Sequence, residues 1–281
     1  MRMAVIQSNT LGDVAKNLEV LGALMKRAVE EDRADWLLLP EHFQWAGGSV
    51  EERRASAEYL GEGPAYQMCA QFARDYGVYV HAGSLYEKVA SDPRIYNTTL
   101  AFDRSGKEIA RYRKIHLFDV VTPDGSVSRE SATVAPGSDI VTYEADGITV
   151  GCAICYDLRF PELFQQLVTK GAQLIALPSA FTLQTGKDHW ETLIRARAIE
   201  TQTYFAACGS YGPVQYEGQD RWTYGHSMIV DPWGHVVAKV SDGEGYVVHS
   251  FDAAKLEKVR RDIPLNVSRK IRDAVLGSVA A

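Results

Sequence analysis

The sequence predicts an α/β fold in which two sheets pack together and helices cover them on the outside. In both halves of the 281-residue chain, short apolar segments typical of strands alternate with segments of helical periodicity. Segments 96–103 and 108–113, joined by a Ser-Gly turn, have the pattern of an antiparallel hairpin, so we expect a mixed sheet. No linker, repeat or low-complexity tract divides the sequence. We therefore expect one domain over residues 1–281, with a polar tail from about 263 to 281.

The composition argues against several classes of partner. A hydrophobic share of 46% and a charged share of 23% are typical of an ordinary globular protein. A formal net charge of -6, without a Lys/Arg-rich run, argues against a nucleic-acid-binding surface. No apolar run is long enough to span a bilayer, and the first ten residues resemble a strand more than a secretory signal. Four cysteines in a chain of this length fit reduced thiols, so we expect a cytoplasmic protein with no nucleic-acid or membrane partner.

The first half of the chain predicts alternating strands and helices before the hairpin. The helix after the first strand shows its apolar stripe at helical spacing, and Asp13 or Asn17 can cap it. Pro64 suits the first turn of a later helix and Gly77 its end. The predicted elements are strand 3–8, the capped helix, strand 36–39, helices 51–60 and 64–76, and strand 78–84.

The second half predicts a return to this alternation after a long polar loop, 120–138. A second loop, 209–224, is rich in aromatic residues and fits either a lid over a site or a solvent loop. The helix 188–203 carries charged residues beside its apolar face, which fit either a subunit contact or an intrachain salt bridge. The remaining predicted elements are helices 160–170 and 253–261 and strands 173–177, 204–210, 227–230, 236–240 and 246–251.

The segment ITVGCAICYDLRFPEL, residues 148–163, places Cys155 where a strand passes into a helix. Side chains alternate along a strand, so Cys152 and Cys155 are expected on opposite faces. The carboxyl end of a strand beside a helix start is a site where ligands bind and thiolates are stabilised, and Asp157 favours that helix start. Cys155 is therefore the candidate nucleophile, and the alternative is a small buried apolar residue.

Cys152 and Cys155 also form a CxxC pair, which raises the alternatives of a zinc site and a redox pair. The chain has no second CxxC or nearby His pair to complete a zinc site. Cys152 lies inside an apolar strand instead of at a helix start, which argues against a thioredoxin-like pair. We rank both alternatives below a nucleophile.

Three further charged residues are candidates for the same site. Glu41 directly follows an apolar strand and Pro40, where a solvated or locally paired carboxylate is the alternative. Lys114, in YRKIHLFD, lies among residues of strand character, and a solvated lysine is the alternative there. Glu130 lies inside the loop 120–138 and has no distinguishing pattern of its own.

Taken together, these motifs resemble a known family. LLLPEHF, YRKIHLFD and GCAICYDLRFPEL are similar to the Glu, Lys and Cys motifs of the nitrilase superfamily, the carbon–nitrogen hydrolases. The resemblance continues through PSAFTLQTGKDHWETLIRARAIETQ and YGHSMIVDPWG and so covers nearly the whole chain. The branch that the sequence most resembles contains omega-amidases and deaminated-glutathione amidases.

The resemblance implies a role for each candidate. Cys155 would be the nucleophile, Glu41 the general base and Lys114 the stabiliser of the transition state, with Glu130 positioning the substrate and the lysine. The backbone N–H of Tyr156 would join Lys114 in holding the oxyanion. It also implies a four-layer α-β-β-α sandwich and a homodimer or higher even homo-oligomer, formed through helices that include residues 195–200. Neither a metal nor an organic cofactor is implied.

The expected reaction is cysteine-dependent hydrolysis of a small carboxylate-bearing amide, through a thioester and with release of ammonia. Deaminated glutathione and the omega-amides of dicarboxylic or keto acids are the expected substrates. Arg159 and Lys187 are candidates to bind the substrate carboxylate, with Tyr156 as a further donor. Arg159 alternatively pairs with Asp157 or Glu162.

Other function classes stay open at this point. A nitrilase or an N-carbamoyl amine hydrolase would use the same Glu-Lys-Cys site, and a catalytically silent member would be a binding protein. A papain-like Cys–His pair ranks low, because the cysteine signature of that family is missing. The histidines nearest in the sequence for such a pair are His42, His116 and His189.

Overall fold

The structure, a computed structural model, describes residues 1–121, 127–216 and 218–269. Residues 270–281 of the predicted tail lie outside this described part. Among the described helices, none is long and apolar enough to cross a membrane. The α-helices are α1 Val14–Glu30, α2 Val50–Ser56, α3 Pro64–Tyr76, α4 Pro161–Thr169, α5 Leu183–Thr185, α6 Glu191–Thr201, α7 Ala253–Asp262 and α8 Leu265–Ser268.

The first sheet contains most strands of the first half of the chain, joined by the last strand. Its order is β18-β1-β2-β4-β6-β5-β3, and β7 also pairs with β6. Strands β1, β2 and β4 run parallel, whereas β6 runs antiparallel to β4 and β7. The strands are β1 Arg2–Gln7, β2 Trp36–Leu38, β3 Glu58–Tyr59, β4 Tyr79–His81, β5 Leu85–Val89, β6 Asp92–Phe102, β7 Glu108–Arg113 and β18 Gly245–Ser250.

The second sheet has the order β10-β11-β12-β13-β16-β17, with β11, β12 and β13 parallel at its centre. Two separate hairpins, β8-β9 and β14-β15, complete the described strands. The strands are β8 Asp119–Val121, β9 Val127–Arg129, β10 Thr142–Ala145, β11 Ile148–Cys152, β12 Leu174–Ser179, β13 Tyr204–Gly209, β14 Tyr211–Tyr216, β15 Gln219–Tyr224, β16 Met228–Val230 and β17 Val236–Lys239.

The two sheets pack face to face through alternate residues of their central strands. Met3 and Val5 of β1 point inward and belong to one buried core with the second sheet, whereas Ala4 and Ile6 belong to the core beneath α1 and α3. Between the sheets, the hydroxyl of Tyr143 accepts a hydrogen bond from Trp36 Nε1 at 2.9 Å. Alternate residues of such a strand therefore face the other sheet and the covering helices, so both faces of the strand are buried and its residues are apolar throughout.

Helices α4 and α6 cover the outer face of the second sheet, with Leu167 and Ile194 among their buried residues. Helix α4 packs closely on β11 at Gly151, since a Cβ at this position would lie 2.8 Å from Ile175 Cδ1 and 3.2 Å from Leu167 Cδ1. Helices α1 and α3 cover the first sheet in the same way. The predicted four-layer α-β-β-α sandwich is therefore confirmed, together with its mixed sheets.

Several local predictions were wrong. The strand expected to continue to Cys155 ends at Cys152, and residues 155–159 form a short 3-10 helix before α4. The loop 120–138 contains the β8-β9 hairpin in its described part, and 209–224 forms the β14-β15 hairpin. The helix predicted from 188 begins instead with a π-helical turn, Gly186–Trp190, that leads into α6. The helix predicted over 51–60 ends at Ser56, and Glu58–Tyr59 forms β3 instead. Strands β5 and β10 were not predicted, because they are short or lack a clear apolar alternation.

Candidate active site

Four of the predicted site residues meet at the carboxyl ends of strands from both sheets. Glu41 follows β2, Lys114 follows β7 and Cys155 follows β11. Glu41 Oε1 lies 3.1 Å from Lys114 Nζ, and the thiol of Cys155 donates a hydrogen bond to the Glu41 carboxylate. Because both carboxylate and ammonium are only 2% exposed, this is a buried ion pair in contact with the candidate nucleophile.

Glu130 is the second carboxylate on the lysine. Lys114 Nζ donates to both of its oxygens, at 2.9 Å and 3.2 Å. Oε2 of Glu130 also accepts the backbone N–H of Phe118 at 2.6 Å, which fixes the carboxylate. Glu130 opens a 3-10 turn directly after β9, and this position could not be inferred from the loop sequence.

Asn97 is a member of the cluster that sequence reasoning missed. Its Nδ2 donates to Glu41 Oε1 at 2.9 Å and lies 3.4 Å from Glu130 Oε1. Its backbone oxygen accepts the N–H of Lys114 at 2.9 Å. Asn97 lies fully buried in β6, and an amide in a segment predicted as a strand was the signal that could have identified it.

The turn that carries Cys155 has an unusual backbone. Its φ of +47° lies in the left-handed region, which non-glycine residues seldom adopt and which is enriched at functional sites. The Cys155 side chain accepts a hydrogen bond from the backbone N–H of Ala180 on the neighbouring strand segment. The thiol is therefore held from two sides, by Glu41 of the first half and by Ala180 of the second.

Asp157 holds this turn against the segment that contains Lys114. Its Oδ2 accepts the N–H of Ile154 at 2.8 Å and the hydroxyl of Tyr112 at 2.7 Å. Its Oδ1 contacts the backbone N and Nδ1 of His116 at 3.1 Å and 2.7 Å. The expectation that Asp157 serves the start of a helix is confirmed for the short 3-10 helix Cys155–Arg159, where its carboxylate accepts the N–H of Ile154, whereas α4 begins only at Pro161.

The pKa values define the resting protonation state of the cluster. Burial alone would raise the pKa of Glu41, but Lys114, His42 and hydrogen bonds from Cys155 and Asn97 lower it to about 2. Burial lowers the pKa of Lys114, yet Glu130 and Glu41 more than compensate and hold it well above its ordinary value. Burial and the Glu41 charge hold the pKa of Cys155 well above its ordinary value. The site therefore rests as thiol, carboxylate and ammonium.

The three candidate histidines do not form a Cys–His pair. Burial lowers the pKa of His42 to about 4, so its ring is neutral, and it stacks on Tyr86 with ring centroids 4.3 Å apart. His116 is held by Asp157, and His189 Nδ1 lies 3.3 Å from Arg159 Nη2. In the described part of the chain, none of these rings hydrogen-bonds to Cys155.

The same residues also offer ligand atoms for a metal ion. Within the described ranges, the group able to hold an ion is Glu41, His42 and Glu130, whose ligand atoms lie within 4.8 Å of one another. Lys114 Nζ already lies 3.1 Å and 2.9 Å from the two carboxylates, in the position that a cation would take. Cys152, the other half of the CxxC pair, is fully buried in the core and is not a member of that group.

A cavity of about 380 Å³ opens directly onto the four residues. The β14-β15 hairpin forms part of its wall through Tyr216 and Trp222, so the aromatic segment 209–224 lines the site in its described part. A much narrower cavity of about 30 Å³ also borders Cys155 and is bounded by Tyr156 and Arg159.

The two candidates for carboxylate binding are placed differently. Arg159 borders the narrow cavity, and it forms no salt bridge with Asp157, Glu162 or another carboxylate of the described residues; its guanidinium lies over the rings of Tyr156 and Phe181. Lys187 is exposed in the π-helical turn and lines neither cavity. The structure thus brings Arg159, but not Lys187, next to the nucleophile.

This sandwich, with Glu, Lys and Cys converging at strand ends, agrees with the class of hydrolase that the motifs resemble. The family described as Carbon-nitrogen hydrolase matches residues 2–261, and the chain belongs to this family.

Within this family, the chain is similar over most of its length to proteins named as amidases and to a solved structure of the nitrilase superfamily. The deaminated glutathione amidase of Bos taurus is 37% identical over 272 residues, which cover 95% of this chain and 81% of that protein. The omega-amidase NIT2 of Homo sapiens is 34% identical over 264 residues, 94% of this chain and 93% of that protein. The crystal structure of Saccharomyces cerevisiae Nit3, a member of branch 10 of the nitrilase superfamily, superimposes with a TM-score of 0.84, 31% identity and 94% coverage of both chains. The predicted superfamily is confirmed.

Proposed function

We propose that this chain is a cysteine-dependent amidase that hydrolyses a small carboxylate-bearing amide through a thioester. The observation that carries the proposal is the thiol of Cys155 hydrogen-bonded to the ionised Glu41, whose carboxylate lies 3.1 Å from Lys114 Nζ. Two relatives that the chain resembles over most of its length are named for amidase activities, one on deaminated glutathione and one on omega-amides. These two kinds of amide are the substrates we propose.

In the acylation step, Sγ of Cys155 attacks the amide carbon and its proton passes to Glu41. With a carboxylate pKa of about 2 and a thiol pKa held high, a free thiolate is scarcely populated. The proton therefore moves as the C–S bond forms. When the C–N bond breaks, Glu41 returns the proton to the nitrogen, which leaves as ammonia or as an amine.

Two donors hold the oxyanion of the tetrahedral intermediate. Lys114 supplies a permanently charged ammonium, fixed by Glu41 and Glu130, and the backbone N–H of Tyr156 is the second donor. The loss of one such donor typically costs about 2.7–4 kcal/mol of transition-state stabilisation. Glu130, with both oxygens on the lysine, positions the ammonium for this role.

Deacylation uses the same carboxylate. After the amine departs, Glu41 is ionised again and takes a proton from a water molecule, whose oxygen attacks the thioester carbon. Collapse of the second tetrahedral intermediate breaks the C–S bond and returns the proton to Cys155. The products are the carboxylic acid and the free enzyme, so each turnover consumes one water molecule.

Arg159 is the proposed contact of the carboxylate on the acyl half. Its guanidinium borders the narrow cavity beside Cys155 and lacks a salt bridge within the described residues. A guanidinium presents paired N–H donors that match a carboxylate. Lys187, exposed and outside both cavities, has no comparable support.

The proposal is tested by comparing the wild type with Cys155→Ala on deaminated glutathione, alpha-ketoglutaramate, succinamate, a carbamoyl amine and an aliphatic nitrile. The readout is the carboxylic acid or amine product. We expect cysteine-dependent hydrolysis of the carboxylate-bearing amides alone. Conversion of the nitrile or the carbamoyl amine instead would favour the nitrilase or N-carbamoyl amine hydrolase alternative, and no turnover of any compound would favour a binding protein.

We further propose a homodimer formed through the outer face of α6. Ile199 of α6 and Trp233 are large apolar residues that are 49% and 47% exposed. Arg197, by contrast, is buried and forms an intrachain salt bridge with Glu200 at 2.9 Å, so it does not need a partner subunit. Sedimentation equilibrium of Ile199→Glu against the wild type tests this, and a dimer of unchanged affinity would contradict it.

The cytoplasmic location remains a prediction. It is supported by Cys69, Cys152, Cys155 and Cys208, which are all free and buried. Mass spectrometry of the protein alkylated under denaturing conditions, without a reductant, would detect any disulfide formed in the cell.

A further inference from the structure

All three N–H donors of the Lys114 ammonium are engaged in the resting site. A lysine ammonium carries three donors, and Nζ contacts three carboxylate oxygens. These are Glu41 Oε1 at 3.1 Å and Glu130 Oε1 and Oε2 at 3.2 Å and 2.9 Å. Lys114 and Glu41 are both only 2% exposed, which keeps water from replacing their contact. If Lys114 is to hold an oxyanion, one carboxylate oxygen must therefore give up its N–H.

Asn97 offers a second donor to the Glu41 oxygen that Lys114 contacts. Its Nδ2 donates to Glu41 Oε1 at 2.9 Å and lies 3.4 Å from both Glu130 Oε1 and His42 Nε2. A carboxamide nitrogen has two N–H donors, so one can stay on Glu41 while the other is directed at these neighbours. Glu41 Oε1 would therefore keep one donor if the lysine turned away from it.

The strands around Asn97 hold its amide in this position. Asn97 is fully buried in β6, where it lies opposite Tyr86 of β5, and its backbone oxygen accepts the N–H of Lys114 at 2.9 Å. Its Oδ1 is buried and has no hydrogen-bond partner among the described residues. Such an acceptor is costly, but turning the amide would place it against the carboxylates instead. The carboxylates therefore orient the amide, with Nδ2 towards Glu41.

The negative charge of the cluster moves during acylation, and we expect Lys114 to follow it. When Glu41 takes the thiol proton, its carboxylate becomes neutral and the charge passes to the substrate oxygen. The attraction of Lys114 to Glu41 then weakens, while its attraction to the oxyanion grows. Because Oε1 of Glu41 accepts from Lys114 and Asn97, the proton is expected on Oε2. The neutral acid then depends on Asn97 for the orientation from which it protonates the departing nitrogen.

We propose that Asn97 is a positioning residue that holds Glu41 in place while Lys114 redirects one N–H from Glu41 to the oxyanion, an inference that rests on the proposed amidase function. Only hydrogen bonds change in this step, and the ammonium keeps its charge and its three protons. Before the attack, Lys114 holds Glu41 as well. Asn97 should therefore contribute far more to the stability of the tetrahedral intermediate than to the binding of the intact amide.

Asn97→Leu, which removes both donors at similar volume, tests the inference with the panel amide that the wild type hydrolyses fastest. We expect kcat to fall on the order of 10- to 100-fold, as for a buried acceptor left without a donor, while KM changes by less than about twofold. Asn97→Ser, whose hydroxyl is too short to replace the amide, should behave in the same way. Asn17→Leu is the matched control, at a buried asparagine that bonds only to the backbone of Leu11 and Gln44, and should keep kcat.

Calorimetry with two ligands separates this role from a structural one. Succinic semialdehyde carries an aldehyde in place of the amide of succinamate. Sγ of Cys155 bonds to the aldehyde carbon, the thiol proton passes to Glu41, and the former carbonyl oxygen takes the position of the oxyanion, while no group leaves. Asn97→Leu should weaken binding of this aldehyde at least about 10-fold. In the Cys155→Ala background, the same change should alter the dissociation constant of succinamate by less than about twofold.

The outcomes distinguish this inference from the proposed function. If the Asn97 variants keep kcat, or bind the aldehyde and succinamate with equal losses, the inference is overturned and the amidase proposal stands. Loss of the fold in both variants, measured by urea unfolding, also overturns it, since Asn97 would then serve stability. If the wild type binds the aldehyde but hydrolyses no amide, the aldehyde measurement alone decides the role of Asn97. Neither turnover nor aldehyde binding by the wild type overturns the proposed function and this role together.

Discussion

The two sheets supply chemically different halves of the candidate active site. The first sheet and its loops supply Glu41, Lys114 and Asn97, which are joined by hydrogen bonds of 2.9–3.1 Å. The second sheet supplies Cys155, an uncharged thiol on a turn of positive φ. The charged half is ordered by its own ion pairs, whereas the thiol is ordered by backbone and neighbouring groups.

Because of this difference, substitutions in the charged half should lower both stability and activity, whereas substitution of the thiol should lower activity alone. A buried charge without its partner is strongly destabilising, so a change on the first side must affect the fold. A neutral thiol leaves no charge behind when it is removed. Substitutions in the two halves should therefore differ in how much of the free energy of unfolding is lost for a given loss of activity.

The largest expected effect is on the thiol side. Cys155→Ala should reduce turnover of the amide substrate by at least about 10⁴-fold, because the sulfur that forms the proposed thioester is removed. Its free energy of unfolding should change by no more than about 1–2 kcal/mol, since a small, weakly bonded group is lost. Product assays together with urea unfolding check both. A collapsed fold would instead assign Cys155 a structural role.

The charged side should behave in the opposite way. Lys114→Met leaves Glu41 and Glu130 buried without their cation, and we expect a loss of about 3–5 kcal/mol in unfolding free energy as well as of activity. Lys16→Met, at an exposed lysine of α1, is the matched control and should change stability by less than about 0.5 kcal/mol. Equal stability of the two variants in urea would contradict the comparison.

Most helices and strands, and three of the residues of the candidate site, could be predicted from the sequence. Glu41 and Cys155 follow apolar strands, and such positions meet at the edge of a sheet sandwich. The helix 64–76 was predicted to the residue, because Pro64 and Gly77 mark its ends. The residues of each such motif are neighbours in the sequence, so the motif can be recognised without knowledge of the fold.

The supporting residues could not be predicted, because their partners are distant in the chain. Asn97 meets Glu41 across 56 residues of sequence, and Asp157 meets Tyr112 across 45. The positive φ of Cys155, +47°, is likewise not indicated by its residue type.

Acid should destabilise the charged side selectively. Burial lowers the pKa of His42 to about 4 and that of His81 to about 3, from 6.5. As pH falls below 6.5, the unfolded chain binds protons that the folded protein excludes, so stability falls. Each histidine should cost roughly 2 kcal/mol between pH 7.5 and pH 5. The lowered pKa of Glu41 adds a second loss as pH falls from 4.5 towards 2.

Urea unfolding at pH 7.5 and pH 5 checks this acid sensitivity. His42→Gln should show a smaller loss between the two pH values than the wild type, because one buried titrating group has gone. His235→Gln, at an exposed histidine, is the control and should follow the wild type. A pH dependence that is the same in both variants would show that His42 titrates normally in the folded protein.

The smallest expected effect is at Asp157, the residue that joins the two halves. Its oxygens accept from Ile154 on the nucleophile turn and from Tyr112 and His116 on either side of Lys114. In Asp157→Asn, one oxygen becomes an amide nitrogen and leaves donors on one side unpaired, which costs about 1–3 kcal/mol of stability.

Because the thiol and the ammonium are then no longer held at one distance, kcat of Asp157→Asn should fall about tenfold while KM stays nearly constant. Asp75→Asn, at an exposed position of α3, is the control for both measurements. If Asp157→Asn lost stability but kept kcat, the turn of Cys155 would be held well enough by Glu41 and Ala180 alone. The two halves would then be aligned by the packing of the sheets, and the buried carboxylate would serve the fold without placing the nucleophile.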